Sequence, residues 1–431
     1  TGQMNLNNSL NYVFVGELSL EGALRHVPGI LAMAISLRNL NMGRENSVGF
    51  TIGDQEQIHN VSLIVPLDNL AEARLVSDVP SHSVKDLRQL GEVLDGKFNT
   101  FTESTVLEEV KEDVIDDGQL PDWKDIKGQN QAKRALEIAA SGGHNLLMVG
   151  PPGSGKTLLA KAFAGILPPL TQNESMEVTQ LYSVSGLLPR NGTLIKKRPF
   201  RYPHHTATKI GLIGGGRDMR PGDLSLANHG VLFLDELPEF SREVLETLRQ
   251  PLEDRYVVVT RQKGTVKYPA RISLIASMNP CPCGFYGDEG KQCICTPNQI
   301  NSYRNRISGP LMDRFDIHVN VPRLSYNDLS DRGQGETSTE VNRRVIQARE
   351  SQSERLGKGR TNAEMTPNEV QEHCELDSLG DALLRRVYES HYLSARGHDR
   401  VLKVARTIAD MNRSENIRPE YLAEALQFRL F

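Results

Sequence analysis

The sequence predicts an α/β protein built on a parallel sheet and followed by an all-helical unit. Three short apolar runs, NLLMVG, GVLFLDEL and RISLIASMN, alternate with segments of helical periodicity, as crossover helices between parallel strands require. Beyond about residue 330 the runs VNRRVIQARESQSERL, DALLRRVYESHYLS, RVLKVARTIADMN and PEYLAEALQFRLF have helical spacing and few strand-forming residues. The chain therefore combines an α/β region with an all-helical region.

The composition is that of a globular protein. The chain has 431 residues, of which 38% are hydrophobic and 24% charged, and this is enough for two or three domains with their own cores. Its apolar runs are shorter than the roughly 20 residues of a membrane span, and its first residues, TGQMNLNNSL, lack the profile of a secretory signal. We therefore expect a cytoplasmic protein without membrane contact.

Four segments can be distinguished along the chain. Residues 1–95 alternate strand-like runs with the helical stretch ILAMAISLRNL, which indicates a first α/β domain. Because the chain begins at Thr1 and enters the strand-like run YVFVGEL almost at once, we expect the N-terminal part of this domain to be missing. Residues 96–122 are acidic and polar, as in a linker, residues 123–325 carry the parallel sheet, and residues 326–431 form the helical unit.

A nucleotide-binding loop follows the first of the three apolar runs. In NLLMVGPPGSGKT, Gly150 is followed after four residues by Gly155, Lys156 and Thr157, and the helical run LLAKAFAGI comes next. Glycines let backbone N–H groups face a phosphate chain, the lysine neutralises its outer oxygens, and the threonine hydroxyl can hold Mg²⁺. A purely structural glycine turn would not need the flanking strand and helix. The predicted ATP-binding residues are Gly150, Pro151, Pro152, Gly153, Ser154, Gly155, Lys156 and Thr157.

Polar residues end the next two apolar runs. In VLFLDE, Asp235 would complete the Mg²⁺ site with Thr157, and Glu236 would polarise the attacking water. RISLIASMN ends in Asn279, whose amide could position that water. The alternatives are an acidic helix-capping pair and an asparagine that caps a turn. The position of these groups after a phosphate loop favours phosphoryl transfer. Its catalytic residues would be Lys156, Asp235, Glu236 and Asn279.

Four of the five cysteines lie in one stretch, CPCGFYGDEGKQCIC. They form two C-x-C pairs separated by nine residues, and four thiolates match the tetrahedral coordination of Zn²⁺. The spacing is tighter than the usual C-x₂-C, and two disulfides or four free structural thiols are the alternatives. A zinc ion here would be structural, because four protein ligands leave no open position for catalysis. The predicted zinc ligands are Cys281, Cys283, Cys293 and Cys295.

Two segments have the residues needed to bind nucleic acid, although the formal net charge of the chain is −4. LIKKRPFRYPHH interleaves basic residues with Phe200 and Tyr202, on which bases can stack. YVVVTRQKGTVKY has strand-like runs on both sides of QKG, which predicts a hairpin with basic residues at its tip and sides. A solvated charged face is the simpler alternative. The basic residues of the two segments are Lys196, Lys197, Arg198, Arg201, Arg261, Lys263 and Lys267.

Taken together, these motifs resemble those of AAA+ ATPases. The phrases PGDLSLANHGVLFLDELPEF and SGPLMDRFDIHV, and the long insertion that begins with SMEVTQLYSVSGLL, are similar to the magnesium-chelatase-like proteins of the ComM/YifB type. The resemblance covers the chain from about Tyr12 onward, and that family's cysteine pairs fall at the same places. It implies a homo-oligomeric ring, a hexamer, that hydrolyses ATP and acts as a helicase on single-stranded or branched DNA, promoting branch migration during natural transformation. The same resemblance implies DNA contacts at the basic residues of LIKKRPFRYPHH and YVVVTRQKGTVKY.

The resemblance also implies two arginines at the nucleotide. Arg314 in LMDRFD matches the finger that reaches the ATP of a neighbouring subunit, and Arg306 is the competing candidate. Arg396 in SARGHDRVLKVARTIAD matches the sensor arginine of the helical lid, and Arg400 is its alternative. A merely exposed surface position is the simpler interpretation of Arg396.

Residues 1–95 resemble the proteolytic domain of Lon-type proteases, which has a ribosomal-S5-like α/β fold. In that resemblance the catalytic lysine would stand at Leu31. A protease is therefore not expected, because the nucleophile would lack the amine that takes its proton. Two further functions compete with a DNA motor: a chelatase-type motor that remodels a partner enzyme for Mg²⁺ insertion into a porphyrin, and an ATP-binding scaffold without turnover. The scaffold is disfavoured because every residue expected for hydrolysis is present.

Overall fold

The described residues of the computed structural model divide into two units. They are residues 12–42, 61–94, 120–189, 192–262, 264–288, 290–326, 328, 335–389 and 393–429. Unit 1 takes its residues from the ranges 1–117 and 170–197, and unit 2 takes its residues from the ranges 118–169 and 198–431.

Unit 1 is an α/β unit, as the sequence predicts. Its strands and helices are β1 Tyr12–Phe14, β2 Glu17–Leu18, β3 Leu24–Arg25, α1 Ile30–Asn41, β4 Ser62–Pro66, α2 Leu70–Ala73, β5 Ser81–Val84, α3 Leu87–Leu94 and α6 Gln172–Ser185. β1, β4 and β5 form a parallel sheet in that order. The core of the unit lies where the buried residues Ile30, Leu31 and Ala34 of α1 meet Leu63 and Val65 of β4.

The helix α6 belongs to unit 1, although the sequence analysis assigned it to the segment 123–325. Met176 packs against the apolar core of unit 1. The Ser183 hydroxyl donates to the Glu72 carboxylate at 2.5 Å, and this buried carboxylate also accepts from the Leu31 backbone N–H at 2.9 Å. The boundary differs from the predicted one because side-chain contacts, and not neighbours along the chain, decide where an insertion packs.

Unit 2 contains a five-stranded parallel sheet with the strand order β14–β6–β13–β10–β7. Its α/β elements are α4 Asn130–Gly142, β6 Leu146–Val149, α5 Lys156–Ile166, β7 Phe200–Arg201, α7 Lys209–Ile213, β8 Gly214–Gly215, β9 Arg220–Pro221, α8 Asp223–Leu226, β10 Val231–Leu234, α9 Arg242–Thr247, α10 Arg249–Asp254, β11 Tyr256–Arg261, β12 Gly264–Pro269, β13 Ser273–Met278, α11 Pro297–Arg304, α12 Gly309–Met312 and β14 Ile317–Asn320. The register pairs Leu146 with both Ile275 and Ile317. β13 pairs with β6 on one side and with β10 on the other. The loops that follow these three parallel strands therefore meet at one edge of the sheet.

The C-terminal helices form where their periodicity predicts them. They are α13 Ser338–Leu356, α14 Pro367–His373, α15 Ser378–Glu389, α16 Ala395–Met411 and α17 Pro419–Gln427. Capping boxes start α13 at Thr337 with Glu340, and α14 at Thr366 with Glu369. Among the described ranges, no helix combines the length and the apolar character that crossing a membrane requires.

These helices are not a separate unit, because one apolar core runs from Trp123 to Phe428 through the sheet and the helices. Both α13 and α16 pack against α4. The buried face of α4 includes Ala132, Ala135 and Ala139, whose small side chains let neighbouring helices approach closely. The helical segment thus packs against the sheet that carries the candidate site.

Candidate nucleotide site and metal centre

The phosphate loop, residues 150–157, connects β6 to α5 and depends on its glycines. Gly153 and Gly155 have φ of 77° and 92°, in the left-handed region that favours glycine. A Cβ on Gly150 would lie 2.1 Å from the carbonyl oxygen of Val321, so only glycine fits there. Because α5 begins at Lys156, its first N–H groups face the loop, where they can bind phosphate oxygens.

The Lys156 side chain is buried and lies within this loop. Its ammonium donates to the backbone oxygens of Gly150 at 2.7 Å and Pro151 at 2.9 Å. The same ammonium lies 3.4 Å from the side-chain oxygen of Asn279. Burial lowers the pKa of Lys156, and the negative charge of Asp235 opposes this shift. The structure thus brings together the phosphate loop and the end of β13.

Asp235 lies at the end of β10 in a network of hydrogen-bond donors. Its carboxylate accepts from the Thr157 hydroxyl at 2.9 Å, from the Tyr202 hydroxyl at 3.0 Å and from the Ser277 hydroxyl. Burial raises the pKa of Asp235, but these hydrogen bonds outweigh burial and hold the pKa below its ordinary value. An ionised carboxylate beside a threonine hydroxyl is the donor set that Mg²⁺ prefers. Thr157 and Asp235 are therefore the residues that could hold this ion.

Glu236 is exposed and differs from Asp235 in its surroundings. Its φ is 53°, an uncommon left-handed value for a residue with a side chain, and such conformations concentrate at functional sites. The Nδ1 atom of His205 lies 3.6 Å from its Oε2 atom. The carboxylate can thus accept a proton from water beside the phosphate loop while Asp235 stays hydrogen-bonded.

Three arginine-bearing segments meet at the other edge of the sheet. A cavity of about 410 Å³ is lined by Arg255, Arg314, Arg396 and Arg400, together with Asn145 and Ile272. The last two residues precede β6 and β13, whereas the phosphate loop and Asn279 follow these strands. Since a strand advances about 3.3 Å per residue, the two edges of β6 are roughly 16 Å apart. The arginines of this cavity therefore lie away from the nucleotide site of their own chain.

The four candidate arginines have different environments. Arg314 is 6% exposed, pairs with Glu253 and donates to the Pro310 oxygen at 3.2 Å. Arg400 pairs with Asp316 at 2.5 Å, which leaves the exposed Arg396 as the more accessible of the two lid candidates. Arg306, the competing finger, lies outside this cavity and pairs with Glu239 at 3.0 Å.

The four cysteines predicted to bind zinc come together in one cluster. Their sulfur atoms all lie within 4.8 Å of one another, and Cys281, Cys283 and Cys293 are 3.4 to 3.7 Å apart. Sulfur atoms held 2.3 Å from one zinc ion in a tetrahedron are about 3.8 Å apart, so the cluster fits this ion. In the described residues the cysteines are free thiols. Backbone N–H groups of Ile294 and Phe285 lower the pKa of Cys283 to about 6, which favours the thiolate.

The hairpin predicted around QKG is confirmed by the antiparallel pairing of β11 with β12, which places Arg261 opposite Gly264. Arg261 and Lys267 are exposed on it, and the Lys267 ammonium lies 3.5 Å from the centre of the Tyr256 ring. Lys263 lies outside the described residues.

The four basic residues of the segment LIKKRPFRYPHH differ in their surroundings. Lys196 and Lys197 are exposed in unit 1. In unit 2, Arg198 donates to the oxygens of Pro168 and His229 at 2.5 Å, and Arg201 pairs with Asp223 at 2.6 Å. These contacts engage both guanidinium groups within the chain, and the predicted DNA contact of Arg198 and Arg201 stays a prediction.

The sequence analysis missed several groups around the two carboxylates. Tyr202 was assigned to base stacking, but its hydroxyl binds Asp235, and burial together with that charge raises the pKa of Tyr202 to about 12. Ser277 lies inside β13, where the apolar run conceals it, and His205 lies four residues beyond β7. No motif in the sequence marks Ser277 or His205. The strand order of the folded sheet, in which β13 and β7 flank β10, brings their segments beside the acidic pair.

This arrangement defines a class of protein. A phosphate loop and an acidic pair on two parallel strands, with a third strand ending in Asn279 between them, are the core of an AAA+ P-loop protein, and the helical unit follows it. The family model for magnesium chelatase, subunit ChlI, matches residues 122–329, and the model for the C-terminal part of that subunit matches residues 335–429. The chain belongs to the magnesium-chelatase-like family that includes ComM and YifB.

The relatives differ in how much of the chain they share. The chain is 40% identical to competence protein ComM of Haemophilus influenzae over 430 residues, which are 99% of this chain and 79% of that protein. It is 39% identical to YifB of Escherichia coli over 433 residues, with the same coverage. Identity to the magnesium-chelatase 38 kDa subunit of Rhodobacter capsulatus is 26% over 237 residues, 51% of this chain and 59% of that subunit.

Proposed function

We propose that this protein hydrolyses ATP at the phosphate loop and uses the energy to move on DNA. The observation that carries the first part is the meeting of Lys156, Asn279 and the Asp235 network at one edge of the sheet. Thr157 and Asp235 would hold Mg²⁺, which offsets the charge on the phosphates. Lys156 would neutralise the outer phosphate oxygens, Glu236 would take the proton of the attacking water, and Asn279 would orient that water.

We also propose that the working form is a ring, a hexamer. The arginine cavity supports this, because Arg314 and Arg396 lie at the sheet edge opposite the phosphate loop. A second copy of the chain can place this cavity on the nucleotide of its neighbour, so that each site is shared between two protomers. Arg314 then acts as the finger and Arg396 as the lid sensor, each stabilising the charge that develops on the transferred phosphate.

DNA is the proposed partner because the relative named for competence matches nearly the whole chain. Single-stranded or branched DNA moved through such a ring would undergo branch migration, a helicase action that suits natural transformation. Exposed cations on the β11–β12 hairpin, Arg261 and Lys267, support a phosphate contact. The alternative is a chelatase-type motor that remodels a partner enzyme for Mg²⁺ insertion into a porphyrin. The similarity to a chelatase subunit supports it, but over only 51% of the chain.

The cysteine cluster is proposed to hold a structural zinc ion. The sulfur separations support this assignment, and four thiolate ligands would leave no position for substrate. Such an ion stabilises a loop that has little apolar core of its own.

Steady-state ATP hydrolysis tests the proposed function. Turnover is measured without DNA and with single-stranded, duplex and branched DNA, over a range of protein concentrations. We expect turnover per subunit to rise with concentration, because each site needs a neighbour, and to rise further with branched DNA. Turnover that ignores all three DNA forms but responds to a porphyrin-pathway enzyme supports the chelatase alternative, and a chain that binds no nucleotide refutes the proposal.

A further inference from the structure

The loop that carries the cysteines contacts the phosphate loop at one residue. Gly284 is buried and has a φ of 85°. A Cβ on Gly284 would lie 2.6 Å from Cδ and 3.2 Å from Cγ of Pro152 in the phosphate loop. Real Cβ atoms essentially never come within 3.0 Å of another heavy atom. The backbone of Gly284 therefore packs directly on the proline ring, at a distance that no other residue type allows.

A tight turn connects Gly284 to the cysteines of the sulfur cluster. The Gly284 N–H donates to the carbonyl oxygen of Cys281 at 3.0 Å. The residue before it, Cys283, and the residue that starts the turn both contribute sulfur atoms to the cluster. The N–H of Phe285, the next residue, donates to the Cys283 sulfur. Any ion that joins the four sulfurs thus also restrains the surface that Gly284 presents to Pro152.

The outer part of the phosphate loop, residues 152–155, is held in part by Gln129, whose side-chain amide donates to the Ser154 backbone oxygen at 3.2 Å. Pro152, Gly153 and Gly155 are exposed, and nothing lies within 4 Å of the Cβ positions of the two glycines. The inner end of the loop is held where Gly150 touches the Val321 oxygen. Because glycines are conformationally free, each contact on the outer half restrains the loop, and Gly284 supplies one of them at Pro152.

We propose that the four-cysteine loop positions the phosphate loop, and that Gly284 is the positioning residue through which it acts. The inference rests on the proposed function, since it requires nucleotide to bind at residues 150–157. It adds a dependence that the nucleotide site alone does not have. The affinity for nucleotide falls when the cysteine loop is disrupted, although none of the cysteines contacts nucleotide.

Two alanine variants of the full chain separate this contact from backbone strain. Gly284→Ala and Gly287→Ala both place a side chain at positive φ in the same loop, 85° and 78°. Only at Gly284 does the new Cβ meet Pro152, since nothing lies within 4 Å of the Gly287 position. To reach the 3.4 Å of ordinary contact, Pro152 must move by about 0.8 Å. We expect Gly284→Ala to raise the Kd for a fluorescent ATP analogue on the order of tenfold, and Gly287→Ala to leave it within about twofold.

A second measurement uses the unaltered protein loaded with zinc. Coupling between the affinities of two sites is reciprocal, so saturating ATP analogue should raise the zinc affinity, measured by equilibrium competition with a chromogenic chelator, by the same factor by which zinc removal weakens nucleotide binding. A zinc affinity that is the same with and without nucleotide overturns the inference, as does equal nucleotide affinity of the two alanine variants. If the unaltered protein takes up no zinc, the alanine pair decides alone. If it binds no nucleotide, the proposed function fails instead.

Discussion

Mixing two inactive variants of this protein should restore ATP hydrolysis. Glu236→Gln removes the carboxylate proposed to activate water, and Arg314→Lys removes the guanidinium proposed to act on a neighbour's nucleotide while keeping a positive charge beside Glu253. Glu236 follows β10 and Arg314 precedes β14, so they lie at opposite edges of the sheet, and these edges are roughly 16 Å apart along β6. A pair of neighbours in which one protomer supplies Glu236 and the other supplies Arg314 therefore contains one complete site.

The size of the effect follows from this geometry. Alone, Glu236→Gln should lose on the order of 10²- to 10⁴-fold in turnover, the usual range for a missing base, and Arg314→Lys on the order of 10³- to 10⁵-fold, the usual range for a missing finger. In an equimolar mixture that assembles at random, about one quarter of the interfaces join an intact Glu236 to an intact Arg314. The mixture should then reach about one quarter of the turnover of the unaltered protein, far above either variant alone.

The assay is steady-state phosphate release after subunit exchange, with exchange verified by co-purification of differently tagged chains. Thermal melting of Arg314→Lys checks that this buried position tolerates the change. Arg306→Ala serves as the matched control, because Arg306 is exposed, pairs with Glu239 and lies outside the arginine cavity. Mixed rings no more active than the sum of the two variants would refute the shared site. The finger role would move to Arg306 if Arg306→Ala were itself inactive and were complemented by Glu236→Gln, while Arg314→Lys was not.

Three further predictions concern the metal, acid stability and DNA. Cys283→Ser should lower bound zinc from one equivalent to less than about half an equivalent per chain and should lower the melting temperature. Cys374→Ser, which lies outside the cluster, should keep its zinc. Metal analysis of the two purified variants tests this prediction. Burial lowers the pKa of His318 from 6.5 to about 4. Between these two pH values the unfolded chain binds more protons than the folded chain, so the free energy of unfolding should fall as pH drops from 6.5 to 4. His318→Gln should lose less of this free energy between pH 7 and pH 5 in denaturation experiments, and an equal loss would contradict the assignment. Arg261→Ala should reduce DNA-stimulated turnover and leave nucleotide binding unchanged, while Arg385→Ala, an exposed arginine on α15, should change neither; an unaffected DNA response would remove the hairpin from the proposed interface.

The parts of the site that the sequence predicted are those whose chemistry is local. The phosphate loop needs glycines at particular places between a strand and a helix, and these neighbours are adjacent in the chain. Asp235 and Asn279 could be recognised because each ends an apolar strand, and strands that follow a phosphate loop end at its edge. The cysteine cluster was recognisable because its two pairs are close in sequence.

The parts that were missed depend on contacts between distant segments. Arg198 and Arg201 look like free cations in the sequence, but backbone oxygens and Asp223 engage them. Tyr202 looks like a stacking ring, yet the alignment of β7 beside β10 places its hydroxyl on Asp235. The same reason explains α6, whose packing in unit 1 depends on a buried carboxylate about 110 residues away in the chain, at Glu72.

The order of residues along the chain was enough to predict the fold class, the phosphate loop and the cysteine cluster, because each is encoded by spacing within one segment. The strand order set which carboxylate is enclosed by donors and which is exposed, and it placed the arginines at the far edge of the sheet. Packing also brought Gly284 against Pro152, a contact between residues 132 positions apart that no periodicity announces. The physical reason is that side chains in a folded core meet according to volume and direction, whereas a sequence pattern reports only neighbours within a few turns or strands.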